Sequence, residues 1–187
     1  MRPSKKEPLV ETAADLFEKN GYHATGIDKI LEASGVAKMT LYNHFKSKED
    51  LIVAALELRD ERFKTWFKDR VEALADNPRD RLIAMFDVLE EWFESDGFVG
   101  CMFLAAAGEY GDREHPIHQM AARHKRAIYD YTVSLAKEAG ALDARSLAQQ
   151  LLVLQEGATA VAHVLDAPIA ARQAKRAART IIGSALD

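Results

Sequence analysis

The chain has 187 residues, of which 48% are apolar and 29% are charged, and its formal net charge is −4 at pH 7. This length allows one domain, or a small module fused to a larger one. The composition is typical of a globular chain that buries a core, and it excludes an intrinsically disordered one. With only 10 glycines and 5 prolines, turn-forming residues are scarce, which disfavours an all-β fold.

No segment predicts export or membrane insertion. The acidic residues Glu11, Asp15 and Glu18 interrupt any apolar run behind the basic N-terminus, unlike a secretory signal. The most apolar stretch, 147–165, contains polar side chains that a lipid-facing helix would not tolerate. A single cysteine, Cys101, excludes an internal disulfide and a cysteine-based zinc site. We therefore expect a cytoplasmic protein with no membrane association and no cofactor.

The charge is unevenly distributed along the chain. Residues 1–50 contain eight Lys/Arg and eight Asp/Glu, so the whole net charge of −4 lies in residues 51–187. Within the first fifty, residues 33–48 include Lys38, Lys46 and Lys48 and no acidic residue. Since charges act mainly within a Debye length of about 8–10 Å, this segment predicts a locally positive surface suited to phosphates.

Helical spacing predicts three short helices before residue 47. The first is amphipathic and ends near Gly21, where glycine is favoured beyond a helix end. The second begins with a predicted capping box formed by Thr25 and Asp28 and ends at Gly35. Only residues 35–37 separate it from a third, which extends over 38–45.

Six further helices are predicted in the rest of the chain. A second capping box, Ser47 with Asp50, begins a long fourth helix. Asn77 followed by Pro78 begins a fifth, and helical patterns continue over 100–110, 116–139, 143–165 and from 168 onward. The chain is thus predicted to be all-α, with a three-helix N-terminal domain, 1–46, and a six-helix C-terminal domain, 47–187.

Two short helices joined by a three-residue turn are typical of a helix-turn-helix, in which the second helix enters the DNA major groove. Apolar residues such as Leu41 and Phe45 are spaced to fold the pair onto the first helix. The opposite face then carries lysine, hydroxyl, amide, imidazole and thioether groups, types that contact phosphates and base edges. These residues are Lys38, Met39, Thr40, Tyr42, Asn43 and His44.

The stretch from about Val10 to Ile52 resembles the TetR family of bacterial transcriptional regulators. The resemblance rests on the runs AADLF at 13–17, GYHAT at 21–25, ILEASGV at 30–36 and TLYNHFKSKEDL at 40–51. The resemblance implies that Thr25, Tyr42 and Lys48 contact phosphates. It also implies that Lys38, Met39, Thr40, Asn43 and His44 face the groove. Met39 and Gly26 depart from the residues common in the family, which bears on the operator sequence.

Residues 100–104, 109–110 and 115–116 resemble the ligand-binding half of one TetR subgroup. The resemblance implies a small-molecule pocket and a dimer interface in the C-terminal domain. Its aromatic and methionine residues predict an apolar or aromatic ligand, although such residues also build ordinary cores. The predicted lining is Trp66, Phe67, Phe86, Met102, Phe103 and Met120, with His124 orienting a polar end.

The last two helices are predicted to form a homodimer. The eighth is apolar around most of its circumference and therefore needs cover on every side, while the ninth has a narrow alanine-rich face. Pairing both with their twofold mates as a four-helix bundle would hold two recognition helices about 34 Å apart. The predicted interface residues are Leu151, Leu154, Ala158, Val161, Ala170, Ala174, Ala177 and Ile181.

Together these features predict a one-component repressor whose homodimer binds a near-palindromic operator in double-stranded DNA and leaves it when a small molecule binds. The alternatives are an enzyme using Glu109, His118 and His124, which match no catalytic motif, and a dimerisation or scaffold module. His115, His118 and His124 lack the paired spacing of a metal site, so no metal is expected. A lone cysteine in an apolar run, such as Cys101, is usually inert.

Overall fold

A computed structural model describes residues 5–186 of the chain. Within these residues every regular element is an α-helix, which confirms the predicted all-α class. The nine helices are α1 (Lys6–Asn20), α2 (Ile27–Ser34), α3 (Lys38–His44), α4 (Lys48–Leu74), α5 (Pro78–Phe93), α6 (Met102–Glu109), α7 (Pro116–Glu138), α8 (Ala144–Leu165) and α9 (Ala170–Leu186).

The described residues form two compact units. The first contains the chain up to Phe63 together with Met102–His124, and the second contains Lys64–Cys101 and the chain from Lys125 onward. The division falls within α4 and α7. The first unit therefore holds α6 and the N-terminal part of α4 in addition to α1–α3, and the predicted domain boundary between residues 46 and 47 lies inside it. That boundary stays a prediction about the DNA-binding domain.

The core of the first unit is built where α1 packs against α2 and α3. Leu9, Phe17, Ile30 and Leu41 are almost completely removed from water. Tyr22, in the turn after α1, is also fully buried, and its ring stacks on Phe17 with 5.4 Å between centroids. Because Leu41 anchors α3 from one side, the other side of this short helix faces outward.

Ion pairs connect α1 with the N-terminal half of α4 in the same unit. The Arg59 guanidinium donates to the carboxylates of Glu18, at 2.5 Å, and Asp15, at 3.4 Å. Burial raises the pKa of Glu18 above its ordinary value, although Arg59 opposes this. Arg62 also pairs with Glu11. Ion pairs therefore connect the N-terminal half of α4 to α1.

Of the two predicted capping boxes, that of Ser47 and Asp50 forms with its return bond shifted by one residue to Lys46, and the other does not form. Ser47 Oγ accepts the Asp50 amide at 3.1 Å, and the Asp50 carboxylate accepts the Lys46 amide at 3.0 Å, so α4 begins as expected. The predicted box of Thr25 and Asp28 is wrong, because the cap of α2 is Gly26 and makes no side-chain hydrogen bond. The Thr25 hydroxyl instead donates backward to Gly21 O at 2.7 Å.

In the second unit α8 and α9 pack on each other and both pack on α5. Leu82, Phe86, Leu151, Ala178 and Ile182 lie in this core without solvent exposure. Charged residues cover its edge, since Lys175 pairs with Asp87 and Arg172 pairs with Glu90 and Glu94. Across residues 5–186, no helix is long and apolar enough to cross a membrane.

Candidate nucleic-acid interface and ligand region

The outward side of α3 carries the residues predicted to read DNA. Met39 is 74% exposed and Tyr42 is 48% exposed, and Lys38, Asn43 and His44 are also exposed while Thr40 is half-buried. They share this side because Leu41, within the helix, and Phe45, directly after it, are buried. The structure therefore brings six of the eight predicted DNA contacts together on one short helix.

Lys48 lies at the first residue of α4, where its ammonium donates to the carbonyl oxygen of His23 at 3.3 Å. The side chain is therefore held beside the turn between α1 and α2. Lys38 Nζ lies 3.7 Å from Asp28 Oδ1, and both side chains are largely exposed. Such an exposed pair is weak, so Lys38 can exchange this partner for a phosphate at little cost.

Thr25 is not placed for the phosphate contact that the family resemblance implied. Its side chain is fully buried, and its hydroxyl donates to the carbonyl oxygens of Gly21 and Leu16. A hydroxyl removed from the surface in this way cannot reach a phosphate. The observed role of Thr25 is to close the C-terminal end of α1.

Glu109, which the sequence places in the segment resembling a TetR ligand-binding half and in the enzyme alternative, binds the turn after α1. Glu109, the last residue of α6, accepts hydrogen bonds from the Tyr22 amide at 2.9 Å, the His23 amide at 2.6 Å and His23 Nδ1 at 2.7 Å. Gly21 allows this approach, because a Cβ there would lie 3.0 Å from Glu109 Oε1 and its φ is +82°. The sequence singled out both parts of this site, the Gly21-Tyr22 turn and residues 109–110, but not their contact.

The electrostatics of Glu109 reflect these three donors. Burial raises the pKa of Glu109. The amide hydrogen bonds from Tyr22 and His23, together with the His23 ring, lower the pKa by more than burial raises it, so it lies below its ordinary value of 4.5. The carboxylate is therefore ionised at neutral pH. Hydrogen bonds to an ionised carboxylate are stronger than hydrogen bonds to a neutral acceptor.

Four of the seven predicted ligand residues lie in the first unit. Met102, Phe103, Met120 and His124 are all buried. The Phe103 and His124 rings stack with 3.7 Å between centroids and 5° between planes, and His124 Nδ1 lies 2.7 Å from the buried Asp60 Oδ1. Asp60 was not predicted, because its pairing with His124 joins positions 64 residues apart.

The other three predicted ligand residues lie in the second unit. Phe67 and Phe86 are buried, and Trp66 is half-buried with its ring centroid 6.5 Å from that of Phe67. An open cleft of about 430 Å³ in the same unit is formed by different residues: Leu142, Asp143, Ser146, Leu147, Gln150, Thr180, Ile181, Ser184 and Ala185. None of the predicted ligand residues lines this cleft.

The predicted dimer face needs correction. Leu151, Ala158, Ala170 and Ala174 are buried within the protomer, because α8 and α9 turn these positions toward each other and toward α5. Leu154 and Ile181 are half-buried, and only Val161 and Ala177 are exposed. The large apolar residues that α8 and the turn after it expose are Val153, Val161, Val164, Leu165 and Ile169.

The remaining cysteine and histidine candidates have local partners. Cys101 is half-buried, and Lys125 Nζ lies 3.4 Å from its Sγ and 2.7 Å from Glu156 Oε1. His118 Nδ1 lies 2.9 Å from Tyr110 O, and the His115 ring lies beside that of Tyr110. Among residues 5–186, no group of three His, Cys, Asp or Glu side chains is arranged to hold a metal ion.

Comparison with known proteins connects this geometry to a family. A family model described as bacterial regulatory proteins, tetR family, matches residues 9–55, which include α2, α3 and their turn. A second model, the tetracyclin repressor-like C-terminal domain, matches residues 78–178. The chain belongs to the TetR family. It is therefore a transcriptional regulator with a helix-turn-helix DNA-binding domain.

Individual relatives agree over most of the chain. The HTH-type transcriptional regulator YjdC of Escherichia coli (strain K12) is 27% identical over 153 residues, which are 82% of this chain and 80% of that protein. The crystal structure of a TetR-family regulator from Streptomyces coelicolor is 26% identical, with a TM-score of 0.92 over 100% of this chain and 92% of the other. That of a putative TetR regulator from Streptomyces avermitilis is 30% identical, with a TM-score of 0.84 over 97% and 98%.

Family membership decides between the alternatives that the sequence left open. TetR-family proteins are DNA-binding regulators and not enzymes, so Glu109, His118 and His124 do not form an enzyme active site. Members of the family bind operator DNA and act as dimers with small-molecule effectors. A scaffold without DNA-binding function is likewise inconsistent with the match over α1–α3.

The low pKa of Glu109 makes protein stability depend on pH. Because the folded pKa lies below 4.5, Glu109 stabilises the fold above its unfolded pKa, and this contribution is lost as the pH falls through the folded value. We expect Glu109→Gln to reduce the decline in the free energy of unfolding between about pH 5 and 3, measured by urea denaturation. The control is Glu32→Gln, at an exposed position of α2. Equal declines in wild type and Glu109→Gln would contradict this assignment.

Proposed function

We propose that the protein is a one-component cytoplasmic repressor, whose homodimer binds a near-palindromic operator and is released by a small apolar or aromatic effector. The observation that carries the DNA-binding half is the exposed side of α3, where DNA-reading side chains lie opposite the buried Leu41 and Phe45. A helix anchored in this way can enter the major groove as a rigid element.

The α3 side chains divide into two kinds of DNA contact. Asn43 and His44, which carry donors and acceptors, read base edges, and Met39 packs on a thymine methyl group. Lys38, Thr40 and Tyr42 contact phosphates, as does Lys48 at the start of α4, and these contacts set position without reading sequence. Thr25 has no direct part in this proposal, because its hydroxyl is buried.

The dimer proposal rests on apolar residues that α8 leaves in water. Val153, Val164 and Leu165 are 67%, 74% and 68% exposed, and Val161 adds to the same helix. Burying such side chains is favourable by about 1.5–3 kcal/mol each when complete, and a second copy of α8 and α9 can cover them. Ala177 and Ile181 of α9 join this revised interface. Its twofold symmetry would place the recognition helices about 34 Å apart.

The effector proposal rests on the buried side chains of the first unit. Phe103, Met102 and Met120 supply apolar and aromatic surface, and the pairing of His124 with Asp60 supplies one polar group. An aromatic effector with a single polar end suits this composition. It releases DNA only if it binds the DNA-incompetent state more tightly than the other state.

A panel of aromatic compounds tests the effector proposal by thermal shift. We expect aromatic compounds with one polar group to raise the melting temperature of the wild type, because a ligand that binds only the folded state stabilises it. The shift should shrink in Phe103→Leu, which keeps apolar volume but removes the ring. Stabilisation by strongly charged, hydrophilic compounds alone would count against the proposal.

DNA binding is tested with duplexes that the wild-type protein selects from a random library. We expect Lys48→Ala to weaken binding to all sequences alike and to reduce the slope of log K against log salt by about 0.9, as for one lost phosphate contact. Asn43→Ala should instead change base preference, at about 1–3 kcal/mol per affected base pair. Lys137→Ala, at an exposed residue of α7, is the control for the loss of one positive charge outside the proposed DNA contacts. Failure of the wild-type protein to enrich any sequence from the library at low salt would refute the proposed operator binding.

The revised dimer face determines which substitutions test dimer formation without disturbing the fold of the protomer. Ala174→Arg would disrupt the protomer itself, since Ala174 is buried between helices. We expect Val164→Glu and Ala177→Glu to leave the helical content unchanged but to yield monomers with weak operator binding, because each places a charge in the twofold contact. Leu74→Glu, at an exposed residue of α4, is the control. Light scattering that finds the wild type monomeric at micromolar concentration would refute the interface.

A further inference from the structure

Three hydrogen-bond donors from two consecutive residues converge on one carboxylate. Glu109 Oε1 accepts the Tyr22 amide, and Oε2 accepts both the His23 amide and His23 Nδ1. An ionised carboxylate is only an acceptor, so Nδ1 must carry its proton toward Oε2. We propose that Glu109 is a positioning residue for DNA binding: by fixing the turn at Tyr22 and His23, it holds Lys48 in place to contact a phosphate.

Both ends of α6 are attached to this turn. At the N-terminal end, the buried Tyr22 hydroxyl donates to Met102 O at 2.8 Å. At the C-terminal end, Glu109 holds the amides, and the neighbouring Tyr110 ring stacks on His23 with 4.8 Å between centroids. Because the two attachment points are the first and last residues of α6, the helix cannot shift along or across its axis without moving the turn or breaking these bonds.

The turn at Tyr22 and His23 also binds the first residue of α4. The carbonyl oxygen of His23 accepts the Lys48 ammonium at 3.3 Å. The backbone of His23 is therefore bound by α6 through its N–H group and by α4 through its carbonyl group. A lysine side chain is otherwise flexible, with about 2 kcal/mol of rotamer entropy. The relay therefore consists of Glu109, the turn at residues 22–23, and Lys48, and it lies wholly within the first unit.

A carboxamide cannot replace the carboxylate in this relay. Glutamine at position 109 keeps the size of the side chain, but its single carbonyl oxygen cannot accept three donors, and its NH2 group faces donors instead of acceptors. Glu109 is 28% exposed and His23 is 63% exposed at the side chain, so the change does not open the apolar core. The expected defect is loss of order in the turn rather than unfolding.

The test is a double-mutant cycle in the full-length protein, with Lys48→Ala, Glu109→Gln and both together, and it rests on the proposed phosphate contact of Lys48. The probe is a duplex selected by the wild type from a random library, and affinity is measured across a range of salt concentrations. We expect Glu109→Gln to weaken binding about fivefold or more and to reduce the salt slope by up to about 0.9. The double variant should bind no more weakly than Lys48→Ala within about twofold.

Two further measurements support the test, of which the first needs no DNA and the second uses a variant that keeps the charge. Hydrogen exchange of the Tyr22 and His23 amides should quicken in Glu109→Gln, while amides in the core of α1 keep their protection. Glu109→Asp, which retains the charge but withdraws the carboxylate by one methylene, should show the same non-additivity with Lys48→Ala. Glu114→Gln, an exposed residue beyond α6, is the control and should match the wild type.

The outcomes separate this proposal from the proposed function. An unchanged salt slope in Lys48→Ala would overturn both the phosphate contact and the relay. A reduced slope in Lys48→Ala combined with fully additive effects of Glu109→Gln would overturn the relay alone and leave the phosphate contact standing. Unchanged exchange of the Tyr22 and His23 amides in Glu109→Gln would also overturn the relay.

Discussion

The recognition surface depends on the burial of Leu41 and Phe45 beneath α3. A helix of seven residues is too short to be stable by itself in water, where helices under about 12 residues are marginal. It persists here because it packs against α1 and because Leu41 and Phe45 are buried in the core of the first unit. The same anchoring leaves the remaining residues of α3 in solvent, so one packing constraint determines both the stability of the helix and the direction of its polar side chains.

Around this anchor the first unit is held together by polar contacts between segments far apart in sequence. Arg59 of α4 binds carboxylates of α1, and Glu109 of α6 binds the turn after α1. Thr25 closes the end of α1 by donating to the carbonyl oxygens of Leu16, within the helix, and Gly21, directly after it. These contacts connect α6 and the N-terminal half of α4 to the three-helix core, so all of them belong to one compact unit.

Local signals in the sequence were sufficient to predict the helices and the exposed side of α3, because helical periodicity and capping depend on residues that are close together in the chain. Glu109 could not be predicted in its observed role, since its partners lie 86 and 87 residues away. Thr25 was misassigned because a buried hydroxyl and a phosphate-binding hydroxyl look the same in sequence. The stripe of α8 that packs inside the protomer was also ambiguous: a helix apolar on most sides does not reveal which side, Leu151 or Val164, meets its own chain. The predicted boundary between residues 46 and 47 stays a prediction. The effector site also stays a prediction, since its predicted lining residues lie in both units.

The exposed valines of α8 make the stability and the DNA binding of the proposed dimer depend on protein concentration. If a second copy covers Val153, Val161 and Val164, the folded dimer is stabilised by mass action, and its melting temperature rises with protein concentration. Operator occupancy then varies with the square of the protomer concentration wherever monomers predominate. A modest change in expression would thus produce a steeper change in transcription, with no effector present at all.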